Sequence, residues 1–354
     1  MTNNIIEKLK RIRKPYALAK KFDIDLSLSE NPLGCSPAVQ AVLKNNINIS
    51  HYPDAECFEL KKTLSEKFNV SVEKVSLANG SEQFIELITK VLLSPGDEAI
   101  IPEVTFPLFE NNVIFSGAVP IFSKMKSDFS IDLNDIRKKI NNKTKLIFLC
   151  NPNNPTGKIL DKNKILEFIN AVRPINVVVD EANIEFGGDS TVERVNNLNN
   201  LIVFRTFSKA FGLAGLRIGI CFAPGRLIKV LDRVKQPFAV NVLAQKCAVV
   251  ALKDDAFIQK TREFMDKERK FLIKELKKRN FQVIDSFSNN ILIRVDNLFK
   301  SSTRLVELLN KNDISVVCGT SFGGLGDKFI RVSPRLRQTN EKFLRVIDQL
   351  LDSG

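Results

Sequence analysis

Residues 205–219 read RTFSKAFGLAGLRIG, in which Lys209 follows a serine and precedes a Gly/Ala-rich run that closes on Arg217. The run just before it, Leu201–Arg205 (LIVFR), is short and apolar, as expected of a strand buried on both faces. A strand followed by Thr-Phe-Ser-Lys puts an amine just past the carboxyl end of a sheet, where open α/β sheets bind ligands. Alone, Lys209 reads equally as a solvated surface charge, so the other strand ends decide.

Working outward, Val75–Leu77, Ala99–Ile101, Lys145–Leu149, Ile175–Val179 and Leu216–Cys221 read as further strands. Helical patterns at Glu82–Leu93, Leu133–Ile140 and Lys164–Val172 alternate with them, which predicts an α/β fold with a mainly parallel central sheet flanked by helices. From about Asn241 the order changes. Long helical patterns (Ala244–Ala251, Phe257–Lys278, Thr303–Asn310, Asn340–Leu351) are separated by isolated strands at Asn290–Val295 and Lys328–Val332. The expected division is an N-terminal arm (1–35), a large domain (36–240) and a smaller C-terminal α+β domain (241–354).

Composition narrows the chemistry. The chain has 354 residues, 44% hydrophobic, with neither an apolar run long enough for a membrane span nor an unbroken apolar stretch near the start, so no membrane association and a cytoplasmic location are expected. Six cysteines show no CxxC pair, and a single histidine, His51, argues against multi-histidine metal sites and a Ser-His-Asp hydrolase. The net charge of +13 is spread evenly, without a recognition-helix or aromatic RNA-binding pattern, so an anionic small molecule is expected rather than nucleic acid. No GxGxxG follows a strand, which argues against a nicotinamide enzyme.

Four strand ends carry polar sets. ANGSEQ (78–83) is a glycine turn at Gly80 opening a helix whose N–H groups can hold a phosphate, or a plain turn capped by Ser81. NPNNPTG (151–157) presents amide side chains, DEANIEF (180–186) puts Asp180 at a strand mouth as ligand or helix cap, and the fourth is the lysine stretch. Pyridoxal phosphate uses the whole set. Lys209 forms the imine and Asp180 faces the ring nitrogen. Ser208, Thr206, Arg217 and the amides of Ser81 and Glu82 hold the phosphate, and Asn154 donates to the ring hydroxyl.

The chain resembles the histidinol-phosphate aminotransferases, within the class II-like, fold-type-I pyridoxal-phosphate aminotransferases. The motifs run from KPYALAKKFD (14–23) and LSLSENPLGCSP (26–37) through HYPD (51–54), NGSEQF (79–84), VTFPLF (104–109), NPNNPTG, DEANIEF and RTFSKAFGLAGLRIG to FIRVSPRLRQTNE (329–341). The resemblance implies that Phe106 stacks on the cofactor ring and that Tyr52 reaches the cofactor phosphate of a neighbouring subunit in a homodimer. It implies also that Tyr16, Asn31 and Arg331 face the substrate, Arg331 gripping its anionic end; a buried structural salt bridge is the other reading of Arg331. Tyr16 and Tyr52 are the only tyrosines beside 26 phenylalanines, and both fall on motif positions.

Departures bear on specificity. Asn183 stands where the family usually has tyrosine, which predicts a lysine imine that loses its proton at higher pH than usual. In the expected substrate pocket, Val317 or Cys318 replaces an arginine and Phe109 a tyrosine, while Pro334 and Arg335 replace a Val-Gly step. The expected reaction is transamination between a small phosphorylated ketone and its amino alcohol, with glutamate as amino donor. Histidinol phosphate and imidazole-acetol phosphate are the family default; dihydroxyacetone phosphate giving serinol phosphate is the smaller option. A decarboxylase of phosphoserine or phosphothreonine on the same scaffold stays open, and a noncatalytic regulatory relative would lack the lysine or add a DNA-binding domain.

Overall fold

The computed structural model describes residues 12–13 and 22–352; Tyr16 lies outside them. The core is a seven-stranded sheet of Val75–Asn79 (β1), Glu98–Pro102 (β2), Val119–Ser123 (β3), Thr144–Cys150 (β4), Asn176–Asp180 (β5), Leu201–Thr206 (β6) and Ile218–Phe222 (β7), in the order β1-β7-β6-β5-β4-β2-β3. Strands β2 to β6 pair in parallel, and β7 is antiparallel to both neighbours, β6 and β1.

Alternation of side chains along each strand builds two cores. Leu149, Val177, Val179, Val203 and Ile220 face one side, covered by helices Pro37–Lys44, Phe58–Phe68, Lys162–Ala171 and Val242–Leu252. Phe148, Cys150, Val178, Ile202 and Phe204 face the other, covered by Ser81–Leu92, Pro107–Phe115 and Gly225–Val234. With both faces covered, the central parallel strands β4 to β6 have apolar interiors, and their polar residues lie toward the ends.

A separate core holds the C-terminal part. It joins Leu272 and Leu276 of the long helix Asp255–Lys278 with Ile291, Ile293, Ile330 and Val332 of a small antiparallel sheet and with Phe343 of helix Arg337–Asp352. The cores divide elsewhere than at 240/241: Ala244, Cys247 and Ala248 pack into the large-sheet core, whereas Ile24 and Leu26, from the expected arm, pack into the C-terminal one. Among the described residues no helix is long and apolar enough to cross a membrane, and no group of His, Cys, Asp and Glu is placed to hold a metal.

The last strand of the large sheet begins later than its sequence pattern predicts. Ala214–Leu216 form a 3₁₀ turn, and Arg217 takes the left-handed conformation (φ 54°) before β7 starts at Ile218. Next to it, β7 crosses the Gly80 turn closely enough that a Cβ on Gly219 would lie 2.2 Å from both Gly80 C and Ser81 N. Gly219→Ala therefore pushes the start of helix Ser81–Leu92 off the sheet and lowers unfolding stability by about 1–3 kcal/mol. Urea denaturation checks this; an unchanged midpoint at unchanged slope would contradict the tight crossing.

Candidate active site

The carboxyl ends of β4, β5 and β6 converge with the start of helix Ser81–Leu92, and the residues expected there meet in one pocket. Ser81, Glu82, Phe106, Asn154 and Asp180 line it together with Asn183, Thr206, Ser208, Lys209 and Arg217. Gly80 stands behind Arg217; its φ of +81° suits glycine, and a Cβ there would lie 2.6 Å from Arg217 Nη2.

One end of the pocket is built for an anion. Gly80, at the N-terminus of helix Ser81–Leu92, has no side chain to cap it, and Ser81 and Glu82 at the helix start line the pocket, where their N–H groups suit an anion. Thr206 Oγ1 accepts the Ser208 N–H (3.1 Å) and donates to Ile218 O (3.1 Å), which places Ser208 Oγ 3.5 Å from Arg217 Nη1. Arg217 Nη2 pairs with Glu82 at 3.0 Å across the mouth.

The other end holds the acid. Asp180 closes β5 beside its register neighbour Cys150 and is 4% exposed; the Ala182 N–H donates to its Oδ1 at 3.0 Å. Burial is the main cause that pushes its carboxyl up to about 7, with Glu181 and Glu82 adding to the rise and the Ala182 N–H and Lys209 opposing it. Glu181 itself is tied to Ser190 and Thr191 and lies 3.9 Å from Arg205, so it stays out of the pocket. Asn183 is buried, and its Oδ1 has no hydrogen-bond partner.

These features fit pyridoxal phosphate. A buried carboxyl with a single donor suits a protonated ring nitrogen, and uncapped N–H groups with Arg217 suit the phosphate. Of the asparagines in NPNNPTG, Asn151 and Asn153 fix the loop through Leu160, Val104 and Thr105, while Asn154 lines the pocket. Asn154 Oδ1 accepts from Arg331 Nη1 at 2.9 Å; Arg331 is 1% exposed and also donates through Nη2 to Ser27 O. The wider cleft over Lys209 and Phe106 is lined by Leu28, Ser29 and Glu30.

Other expected residues lie elsewhere. Asn31 lines a neighbouring cleft, its Nδ2 donating to Ala210 O (2.8 Å) and Thr261 Oγ1 (3.1 Å), so it holds the residue after Lys209. Tyr52 is 82% exposed and stacks on Phe238 at 4.5 Å, outside the pocket of its own chain. Phe109, expected in the substrate pocket, is a core residue stacked on Phe148 at 4.6 Å, because its side chain falls on the buried face of its helix. Val317 is likewise packed with Phe322 and Leu325, in register with Arg331. Cys150 and Ala182 line the pocket without having been anticipated; strand alternation places Cys150 opposite Leu149 and beside Asp180, the signal that would have found it.

The raised Asp180 pKa has a stability consequence whose sign is fixed. The folded value, about 7, exceeds the ordinary 3.8, so the folded chain binds the extra proton between these values and the ionised carboxyl opposes folding above them. Cofactor-free Asp180→Asn should therefore be more stable than wild type at pH 8, by at most about 4 kcal/mol, with a smaller gain at pH 5. Urea midpoints at the two pH values test this; an equal gain at both would contradict it.

Residues 22–349 match the family aminotransferase class I and II. The chain is 33% identical over 347 residues to the histidinol-phosphate aminotransferase of Methanocella arvoryzae, covering 98% of this chain and 94% of the relative. It is 35% identical over 334 residues to that of Caldicellulosiruptor saccharolyticus, covering 93% and 92%. The crystal structure of the histidinol-phosphate aminotransferase from Clostridium acetobutylicum has a TM-score of 0.86 at 28% identity, covering 94% of this chain and all of that one (100%). The Sinorhizobium meliloti histidinol-phosphate aminotransferase in complex with pyridoxal-5'-phosphate shares the fold, with a TM-score of 0.88 at 20% identity, covering 94% and 92%. With the family match and these relatives spanning nearly its whole length, the chain belongs to the aminotransferase class I and II family, among its histidinol-phosphate aminotransferase-like, pyridoxal-phosphate-dependent, fold-type-I members.

Proposed function

We propose that this aminotransferase acts on a small phosphorylated ketone and its amino alcohol, converting imidazole-acetol phosphate to histidinol phosphate with glutamate as amino donor. The observation that carries this reading is Arg331: a buried guanidinium linked through Asn154 to the pocket of Lys209 and Asp180, in a chain of net charge +13. A planar fork of donors there suits a phosphate at the far end of a substrate whose amine lies at Lys209. The names of the relatives agree with it.

When bound, pyridoxal phosphate supplies an aldehyde that condenses with the amine and a ring that takes up the electron pair left at the substrate's α-carbon. Asp180 holds the proton on the ring nitrogen. Lys209 Nζ would hold the cofactor's aldehyde carbon and, when free, would carry the proton between the substrate's α-carbon and the cofactor. Ser208, Thr206, Arg217 and the amides of Ser81 and Glu82 would anchor the phosphate, Phe106 would cover the ring, and Asn154 and Asn183 would serve its oxygen.

A homodimer is part of this reading. Tyr52 and the Phe238 on which it stacks are both exposed, as a residue serving a neighbour's cofactor would be.

Single-turnover mixing of the cofactor-loaded protein with L-histidinol phosphate, serinol phosphate or O-phospho-L-threonine tests the substrate. The expected result is one equivalent of ketone per site from histidinol phosphate. Turnover of serinol phosphate alone would mark a smaller substrate, and carbon dioxide from phosphothreonine would replace transamination by decarboxylation. Arg331→Leu should lower kcat/KM for the phosphorylated substrate about 100-fold, near 2.7 kcal/mol; an unchanged kcat/KM would remove Arg331 from the phosphate. Lys209→Ala should lower turnover at least about 1000-fold with the fold intact by circular dichroism.

A further inference from the structure

The segment Asp25–Asn31 is a wall between two clefts. On one side Leu28, Ser29 and Glu30 line the cleft that opens onto Lys209; on the other, Asp25, Glu30 and Asn31 line a second cleft that contains Arg335. Beyond the short pairing of Ile24–Asp25 with Ile314–Ser315, this segment belongs to no helix or sheet, so its carbonyls need donors from elsewhere.

Each carbonyl from Asp25 to Ser29 receives one from the C-terminal part of the chain. Arg335 Nε donates to Asp25 O (2.6 Å), Ser333 N to Leu26 O (2.9 Å), Arg331 Nη2 to Ser27 O, Arg335 Nη2 to Leu28 O (2.8 Å) and Asn289 Nδ2 to Ser29 O (3.1 Å). Arg335 thus bridges two of these carbonyls, and its Nη2 also lies 3.3 Å from the Glu30 carboxylate. A guanidinium can do this because its donors diverge in one rigid plane, which an ammonium cannot reproduce.

Arg335 is itself held from behind. Its N–H donates to Asn340 Oδ1 (2.9 Å) and its carbonyl accepts from Asn340 Nδ2 (2.8 Å). Asn340 is fully buried and donates also to Glu268 Oε2 (2.9 Å) on the long helix Asp255–Lys278. A chain of hydrogen bonds therefore runs from that helix through Asn340 and Arg335 to the wall beside Lys209.

We propose that Arg335 is a positioning residue: it fixes the Leu28–Glu30 wall of the substrate cleft and sets the affinity for the amino substrate without touching the reacting atoms. This rests on aminotransferase activity and on the cleft over Lys209 being the substrate's, not on which phosphorylated substrate enters it.

The test compares Arg335→Leu, which removes both donations, with Arg335→Lys, which keeps one, in the cofactor-loaded protein. Amide exchange is followed by mass spectrometry, and KM and kcat are measured with L-histidinol phosphate and with L-glutamate. Arg335→Leu should speed exchange over residues 26–31 about tenfold while β4–β6 stay unchanged. It should raise KM about tenfold with kcat within about twofold, with Arg335→Lys between the two. Unchanged exchange and KM would overturn the proposal, as would faster exchange across the whole C-terminal core with a parallel fall in kcat. A wild type that turns over glutamate but not histidinol phosphate overturns the substrate named above, and the glutamate KM then decides the role of Arg335.

Discussion

Asp180 is a carboxyl group held at the end of a buried strand with a single N–H donor, and the surrounding structure follows from that placement. A charge in this position is stable only opposite a positive partner, which the fold provides for by bringing Lys209 to the same pocket and leaving room for a protonated ring. The parallel arrangement of β4, β5 and β6 makes this possible. Their interiors are apolar on both faces, so Asn154, Asp180 and Lys209 can project together only where the strands end. Glu181, the neighbouring acid, is kept apart by hydroxyl and backbone donors and by Arg205.

The C-terminal part completes the site through arginines. Arg331 reaches Asn154 on one side and Ser27 on the other, so one side chain ties the pocket of Asp180 and Lys209 to the segment 25–31. Arg335 continues the same wall toward Asp25 and Leu28. The cleft over Lys209 and the docking of residues 24–31 thus share one network of arginine hydrogen bonds, which the proposed function assigns to the substrate.

Where the sequence was legible, the physics was local. Strands β4 to β6 announce themselves because both faces are buried, and the residues just past them are marked by the abrupt change to Asn, Asp, Ser and Lys. Strand β3 was missed because it is an edge strand with Val119 and Phe122 exposed, without the alternation that one buried face imposes. Helix Pro107–Phe115, with Glu110, Asn111 and Asn112 at its centre, carries no helical stripe that its sequence could show. Arg217 was placed in a strand because a left-handed residue leaves no mark except in glycine. The engagement of Asn31 with Ala210, the burial of Phe109 against Phe148 and the wall carbonyls held by Arg335 are contacts between distant parts of the chain, which no local pattern encodes.

The measurement that tests this account most directly is reduction of the pyridoxal-phosphate-loaded protein with borohydride, followed by digestion and peptide mapping. The account predicts the cofactor on Lys209 and on no other lysine, and loss of that label in Lys209→Ala. A label on a different lysine, or none on Lys209, would contradict the assignment of the pocket between Asp180 and Arg217.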